Sequence, residues 1–319
     1  MLSQILLPPS TSILENGFSI GICAADHATN LKELLDVIRN ESYPSGLILD
    51  SVVIVGSGLD SEAVTVLRNL GGPNVSFIVI EEPTRKGKAE AINRIIETFT
   101  GRFLVLLNSD AQPAHGAISK LLSVIAEDDQ VGMVSASPFL GEKTGILGEI
   151  LQLMWSVHNE CLVALNNENR NNHCCDELIV LRSGAIRKLP HDTVNDGAFL
   201  AGAAYNEGYS IRFCDTAHVR IDVPSRLCDL LRQRRRIVYG HMQIRRVIGN
   251  SPKTIESMLI SNPRLSLSIL IRTLRKSPKT VLVLPIAIVG EAVSIAMAFL
   301  DTMTPNAKHV PWDRFGSKS

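Results

Sequence analysis

Apolar residues along the first half of the chain fall into two alternating spacings. Compact runs at Phe18–Ala25, Ser51–Val55, Val75–Ile80, Phe103–Leu107 and Val131–Ser135 have the length of strands. Runs of this kind predict strands covered on both faces, as in parallel sheets. Between them, apolar residues at helical spacing predict helices over 29–40, near 61–70, over 88–99 and near 117–126. In Lys88–Phe99 the residues Ala89, Ile92, Ile96 and Phe99 share one face. Strand and helix in alternation predict βαβ units, an α/β fold around a mixed or parallel sheet.

After Gly145 the helical segments lengthen. Helices are expected at Ile146–Leu165, Asp196–Asn206 and Arg226–Ile248, with short strands at Leu178–Leu181, Ile211–Phe213 and Ala217–Ile221. Thr280–Leu300 is an apolar stretch of twenty-one residues whose one charge is Glu291. It is long enough to span a bilayer. Arg272, Arg275, Lys276 and Lys279 precede it and would keep that side cytosolic. Glu291 makes a lone span costly unless it is paired or faces protein. Membrane association is therefore expected on the cytoplasmic face, either peripheral or through this single segment. No cleaved signal is expected at the N-terminus.

Composition narrows the function classes. With 45% apolar and 20% charged residues over 319 positions, the chain can bury one large domain or two ordinary ones. A net charge of zero gives no overall bias toward nucleic acid, and none is expected as a partner. The charge is unevenly spread: Arg220–Lys279 holds fourteen Lys and Arg against three Asp and Glu. Such a basic stretch suits phosphates or an anionic membrane surface, or is simply solvated helix charge. The six cysteines form no framework and point to a reduced setting. His173-Cys174-Cys175-Asp176 lacks the paired spacing of a zinc site.

Three short segments carry candidate chemistry. Gly56-Ser57-Gly58 follows a strand and, with Glu81 ending the next, imitates a dinucleotide fingerprint; the third glycine is replaced by Ser61, and a tight strand-to-helix turn is the simpler account. Arg85-Lys86-Gly87-Lys88 leads into a helix start, where backbone N–H groups and lysine charge can meet an anion. Asn108-Ser109-Asp110 ends the Phe103–Leu107 strand, where open α/β sheets place ligands.

Gly87-Lys88-Ala89-x-Ala91-x-Asn93 followed by Asn108-Ser109-Asp110 resembles the family-2 inverting glycosyltransferases of the GT-A fold. Ile22-Cys23-Ala24-Ala25-Asp26-His27 stands where that family has Pro-x-Tyr-Asn-Glu around the nucleotide base, and Val194-Asn195-Asp196 where it has a Glu-Asp pair. Gly208-Tyr209-Ser210-Ile211 is similar to its Gly-Tyr-x-Ile turn, and Gln233-Arg234-Arg235-Arg236-Ile237 to its Gln-x-x-Arg-Trp element with Ile for Trp. The resemblance runs from about Phe18 to Gly240 and extends to membrane polysaccharide synthases.

It implies a GT-A domain at 18–240 after an N-terminal extension at 1–17, with a helical, membrane-associated region at 241–319. The implied reaction moves a hexosyl group from a nucleoside-diphosphate sugar, a UDP-sugar first, to a glycan or lipid-linked acceptor. A divalent cation, Mg²⁺ or Mn²⁺, would neutralise the departing diphosphate. The implied roles are Asp196 as base, Asp110 as metal ligand, and Ala25, His27, Gly56, Ser57, Lys88 and Asn108 on the nucleotide sugar. Gln233 and Arg236, three apart on one helix face, would line the acceptor and diphosphate side. Arg234 and Arg235 are expected as surface or headgroup charges, and His158 and His218 as structural histidines. Two plainer roles stay open: Asn108 capping its turn, and Asn195 or Asp196 capping the helix that follows. Asn108, Asn195 and Ile237 depart from the family pattern, and no acid lies near Gly56. That leaves room for a catalytically weak nucleotide- or partner-binding relative, and Gly56–Gly58 leaves room for a dinucleotide-dependent oxidoreductase.

Overall fold

Phe18, Ile20 and Ile22 have no solvent exposure, and the strand that carries them, β1 (Gly17–Ala25), lies inside the sheet. The structure, a computed structural model, describes residues 16–25, 31–57, 59, 75–82, 84, 86–141 and 145–304. The other strands are β2 (Ile48–Ser57), β3 (Ser76–Glu82), β4 (Phe103–Asn108), β5 (Gln112–Pro113), β6 (Val131–Leu140), β7 (Leu178–Arg182) and β8 (Ser210–Ile221). They form one eight-stranded sheet in the order β3-β2-β1-β4-β7-β6-β8-β5. β1, β2, β3 and β4 pair in parallel, as do β6 and β8; β7 runs antiparallel to both β4 and β6. The short β5 pairs antiparallel with β8. One reversed strand, β7, therefore sits in the middle of the sheet, and the short reversed β5 lies at its edge.

Alternate residues of each inner strand feed opposite sides. Phe103, Val105 and Leu107 of β4 join one core with β1, while Leu104 and Leu106 join the other. Helices α1 (Leu31–Asn40), α3 (Ala117–Glu127) and α4 (Gly145–Asn167) cover the first side; α2 (Lys88–Thr98) and α5 (Asp196–Asn206) cover the second, and α6 (Leu227–Ile248) reaches both, through Leu230 and Ile244. Strands predicted at 211–213 and 217–221 are one strand, β8. A bulge joins them, with Ala136 paired to Cys214 and the next residue, Ser137, to His218. The helix expected near 61–70 lies outside the described residues.

Within the C-terminal region expected to be helical lie α7 (Ile255–Ser261) and α8 (Pro263–Lys276), not placed individually from the sequence, whose buried residues Met258 and Ile269 pack on Cys161 and Leu165 of α4. The predicted apolar stretch at 280–300 divides into a 3₁₀ segment, Pro278–Val283, and α9 (Leu284–Thr302), with Pro285 in its first turn where no N–H is needed. Arg234 and Arg235, expected at the surface, instead tie α6 to the C-terminal helices. Arg234 holds Glu291 through Nε at 2.8 Å and Nη2 at 2.9 Å, and also reaches Glu256 at 3.3 Å. Arg235 pairs with Asp301. Both acids of α9 are thus turned inward, while Leu282 just before it and Val289, Phe299 and Leu300 on it stay exposed. Pro278–Thr302 is the one helical stretch among the described residues long and apolar enough to cross a membrane.

Candidate active site

Parallel strands bring their carboxyl ends to one edge of the sheet, where ligands of such folds bind. β1 and β4 end there at Ala25 and Asn108, β2 and β3 at Ser57 and Glu82. Because β7 is reversed, its amino end reaches the same edge, preceded by Asp176 and Glu177. Asn108 pairs with Cys23 in register, and the Ser109 N–H donates to the Cys23 carbonyl at 3.1 Å. The Ala111 N–H then closes a turn onto the Asn108 carbonyl at 3.1 Å, with Asp110 half-buried on it.

Lys88 is the first residue of α2, entered through Gly87 at φ 103°, a conformation that suits glycine. Its Nζ lies 2.7 Å from Asp176 Oδ2 and 2.8 Å from Asp196 Oδ2. Asp196 is the first residue of α5. Asn195, not Asp196, is the helix cap, accepting the Ala198 N–H at 3.0 Å. The cap therefore leaves the Asp196 carboxylate free for the lysine, and the Asp196 side chain keeps only 9% exposure.

Two glycines permit this convergence. A methyl group at Gly197 would come within 2.4 Å of the Asp176 Cβ, so the α5 start and the 176 loop could not close. A methyl group at Gly240 would come within 2.7 Å of the Asn195 Cβ, so glycine there lets α6 lie on the same helix start. Arg236, one turn earlier on α6, is close enough for its charge to act on Asp176. Gln233 is half-buried a further turn back.

The charges are strongly interdependent. Burial works against the Asp176 carboxylate, but the charge and hydrogen bond of Lys88 outweigh it and hold its pKa down to about 2. Burial also opposes the charge on Lys88, yet Asp176, Asp196 and Glu177 raise its pKa well above the ordinary lysine range. Asp196 is shifted up, by burial first and the Asp176 charge next, with Lys88 opposing. Glu177 is pushed up to about 8 by burial and by the charges of Asp176 and Asp110. Burial pushes the Cys23 thiol up to about 12, so it is no nucleophile. The edge thus holds a fixed cation between two carboxylates, one shifted toward neutral pH, the usual requirement for a general base.

Of the residues singled out from the sequence, Lys88 and Asp196 touch. Asn108 adjoins them through Glu177, to which its Nδ2 donates at 2.7 Å, and Asp110 and Arg236 act on the cluster by charge. Gly56 is buried in β2 opposite Ala24, and Ala25 pairs with Ser57 at the strand ends. His27 lies outside the described residues. Sequence reasoning gave no site role to Glu177 and considered Asp176 only within the His173–Asp176 run. Among the described residues no three His, Cys, Asp or Glu side chains form a metal cage, and the Cys174 thiol donates to the Gly197 carbonyl at 3.3 Å. The signal that could have exposed both acids is their position just before a short apolar strand, once that strand is known to run backwards.

Behind Asp176 lies a histidine stack. His158, His173 and His241 meet edge to face, with centroids 5.6 and 5.1 Å apart, and Trp155 caps the row at 5.3 Å from His158. Burial pushes His158 down to about 3 and His173 to about 4. Both are buried packing groups, each with one ring nitrogen, His158 Nε2 and His173 Nδ1, that has no hydrogen-bond partner among the described residues.

The model of glycosyl transferase family 2 matches residues 19–188, more than half of the chain. The chain belongs to that family. A family-2 glycosyltransferase moves sugars from nucleotide-sugar donors, and the dinucleotide reading of Gly56–Gly58 is set aside. Among curated proteins, the chain is 20% identical over 197 residues to the poly-beta-1,6-N-acetyl-D-glucosamine synthase of Staphylococcus aureus (strain COL), covering 60% of this chain and 48% of that one. The synthase of the same name from Staphylococcus epidermidis is 18% identical over 246 residues, covering 76% and 58%. The matches thus span about half the length of these relatives. Among solved structures, a mannosyltransferase of Pyrobaculum calidifontis, PcManGT, in complex with GDP-Man and Mn²⁺, superposes with a TM-score of 0.60 at 18% identity, covering 90% of this chain and 87% of that one. That likeness establishes the shared fold, the mixed GT-A sheet followed by helices.

Proposed function

We propose that this glycosyltransferase moves a hexosyl group from a nucleoside-diphosphate donor, with inversion, to a glycan or lipid-linked acceptor at a membrane surface. The observation that carries the reading is the Lys88 bridge, 2.7 Å from Asp176 and 2.8 Å from Asp196, at the strand ends where Asp110 also stands. An arriving diphosphate competes with the two carboxylates for the Lys88 ammonium. Asp196, loosened from that cation, takes the proton of the acceptor hydroxyl as its oxygen attacks the anomeric carbon and the nucleoside diphosphate leaves. Its upward-shifted pKa suits that task. Arg236 and Gln233 face the diphosphate and acceptor side, while Ala25, His27, Gly56, Ser57 and Asn108 serve the nucleotide.

A divalent cation fits the donor set, because Asp110 offers a hard oxygen ligand at the turn. Asp110 would be the residue that holds such an ion beside the donor. When bound, it supplies charge neutralisation to the diphosphate. The names of the relatives support the hexosyl donor and the metal: one set is synthases of an N-acetylglucosamine polymer, and the structural neighbour holds GDP-Man and Mn²⁺.

The C-terminal helices support the membrane part. The acids of α9 are held by Arg234 and Arg235, leaving an apolar face outward, and the basic Arg275 and Lys276 close α8 just before this segment. The stretch Pro278–Thr302 is long and apolar enough for either a peripheral or a spanning contact. The direct test supplies UDP-N-acetylglucosamine and GDP-mannose to the full chain with Mn²⁺, with and without chelator, and follows nucleotide release and product anomeric configuration by NMR. Chelator-sensitive turnover with an inverted product is expected. Nucleotide binding with no turnover across donors and acceptors would instead make the chain a binding relative. Flotation with anionic liposomes tests the membrane part; a chain that stays at the bottom of the gradient would refute it.

A further inference from the structure

Asn108-Ser109-Asp110 offers one carboxylate, and the fold delivers another to the same place from a distant part of the chain. Glu177 precedes β7, whose reversal carries its amino end to the carboxyl end of β4. Two hydrogen bonds fix it against Asn108: the Asn108 N–H donates to the Glu177 carbonyl at 3.3 Å, and Asn108 Nδ2 donates to Glu177 Oε2 at 2.7 Å. The Asp110 charge reaches the Glu177 carboxyl from the turn. Among the described residues no Lys or Arg forms an ion pair with Glu177, and Lys88, whose charge acts on it, is held by Asp176 and Asp196. Acids gathered without a cation of their own repel one another, and a divalent ion relieves that repulsion. With Oε2 engaged by the amide, Oε1 is left for a ligand.

We propose that Glu177 is a second carboxylate toward the divalent cation anchored by Asp110, and that Asn108 orients it. The side chain at 108 thus serves as a hydrogen-bond donor, and the charge comes from residue 177. This rests on the reading of Asp110 as a metal residue. Mg²⁺ and Mn²⁺ are commonly held by one or two carboxylates together with substrate phosphates, so the pair is complete only with nucleotide present.

The test titrates Mn²⁺ into the full chain with saturating UDP, and in parallel GDP, and follows the free-Mn²⁺ resonance by electron paramagnetic resonance. Wild type is expected to bind Mn²⁺ with nucleotide, and D110N to lose it. E177Q is expected to weaken Mn²⁺ binding by at least about tenfold while metal-free nucleotide affinity is unchanged. The exchange N108D/E177Q, which moves the charge back to 108, is expected to recover most of the loss. E177Q binding Mn²⁺ like wild type while D110N does not would overturn the role of Glu177 and leave the Asp110 reading intact. Unchanged binding by D110N would overturn both. Equal weakening by D176N would reduce the effect to general negative charge and also overturn it. If E177Q fails to fold, the exchange variant decides: restored Mn²⁺ binding supports the proposal, and absent binding overturns it.

Discussion

Replacing Lys88 with methionine removes a cation from between two carboxylates while keeping most of its packing volume. Breaking a fully buried ion pair from one side costs about 3–5 kcal/mol, because the partner is left charged and desolvated. The site is less than fully buried: the Lys88 side chain keeps 29% exposure and Asp176 33%, against 9% for Asp196. Solvent screening reduces the expected loss to about 2–3 kcal/mol at pH 7.5, a large part of the roughly 5–15 kcal/mol by which a domain is stable. The loss has a definite pH dependence. In wild type, Lys88 holds Asp176 near 2, so its contribution is full above the ordinary aspartate value of about 3.9 and fades only as pH falls toward 2. In K88M both aspartates shift above their ordinary values, and the penalty is relieved as they protonate on acidification. Urea unfolding of wild type, K88M and K88R should show a K88M deficit at pH 7.5 that falls to about half of that value or less at pH 3, with K88R in between. A K88M deficit equal at both pH values would refute the electrostatic account, as would no deficit at pH 7.5.

Three further outcomes follow from the same geometry. His173 is 6% exposed and held near 4 against an ordinary 6.5; its contribution is full above pH 6.5 and lost as pH falls toward 4. The cost is about 2 kcal/mol by pH 5, and H173Q should flatten that part of the urea-midpoint profile; an unchanged profile would contradict the buried neutral stack. G240A puts a methyl group 2.7 Å from the Asn195 Cβ and 3.2 Å from its backbone nitrogen, so it should cost about 1–3 kcal/mol and lower kcat/KM through Arg236. The ordinary helix-interior gain of up to about 1 kcal/mol for alanine over glycine would instead show that α6 does not touch the α5 start. E291Q removes the charge from a bond pair with Arg234 at 2.8 and 2.9 Å and should raise hydrogen exchange across 284–302. Unchanged protection there would show that Arg234 does not hold α9.

Much of the fold can be read in the sequence because it is local. Phe103–Leu107 is buried as its unbroken apolar run predicts, and α5 spans the expected Asp196–Asn206. The direction of β7 is a different matter. Leu178–Arg182 would look the same run either way, and only its pairing with Arg182 opposite Phe103 shows the reversal. With it goes the placement of Asp176 and Glu177, which no spacing in the sequence links to Lys88 or Asn108. The C-terminal helices were obscured for a related reason. Glu291 reads as an isolated charge in an apolar stretch until Arg234, fifty-seven residues earlier, is found to hold it. The departure at Asn195 also acquires a reason in three dimensions: it caps α5 and leaves Asp196 to Lys88.

The most direct test of the account is D196N in the full chain, assayed for sugar transfer and, separately, for nucleoside-diphosphate binding with Mn²⁺. Asparagine keeps the shape beside Lys88 but cannot take a proton. A loss of about 10²–10⁴ in kcat, the range for a general base, is expected with nucleotide binding retained. Transfer at the wild-type rate by a folded, nucleotide-binding D196N would contradict the central claim.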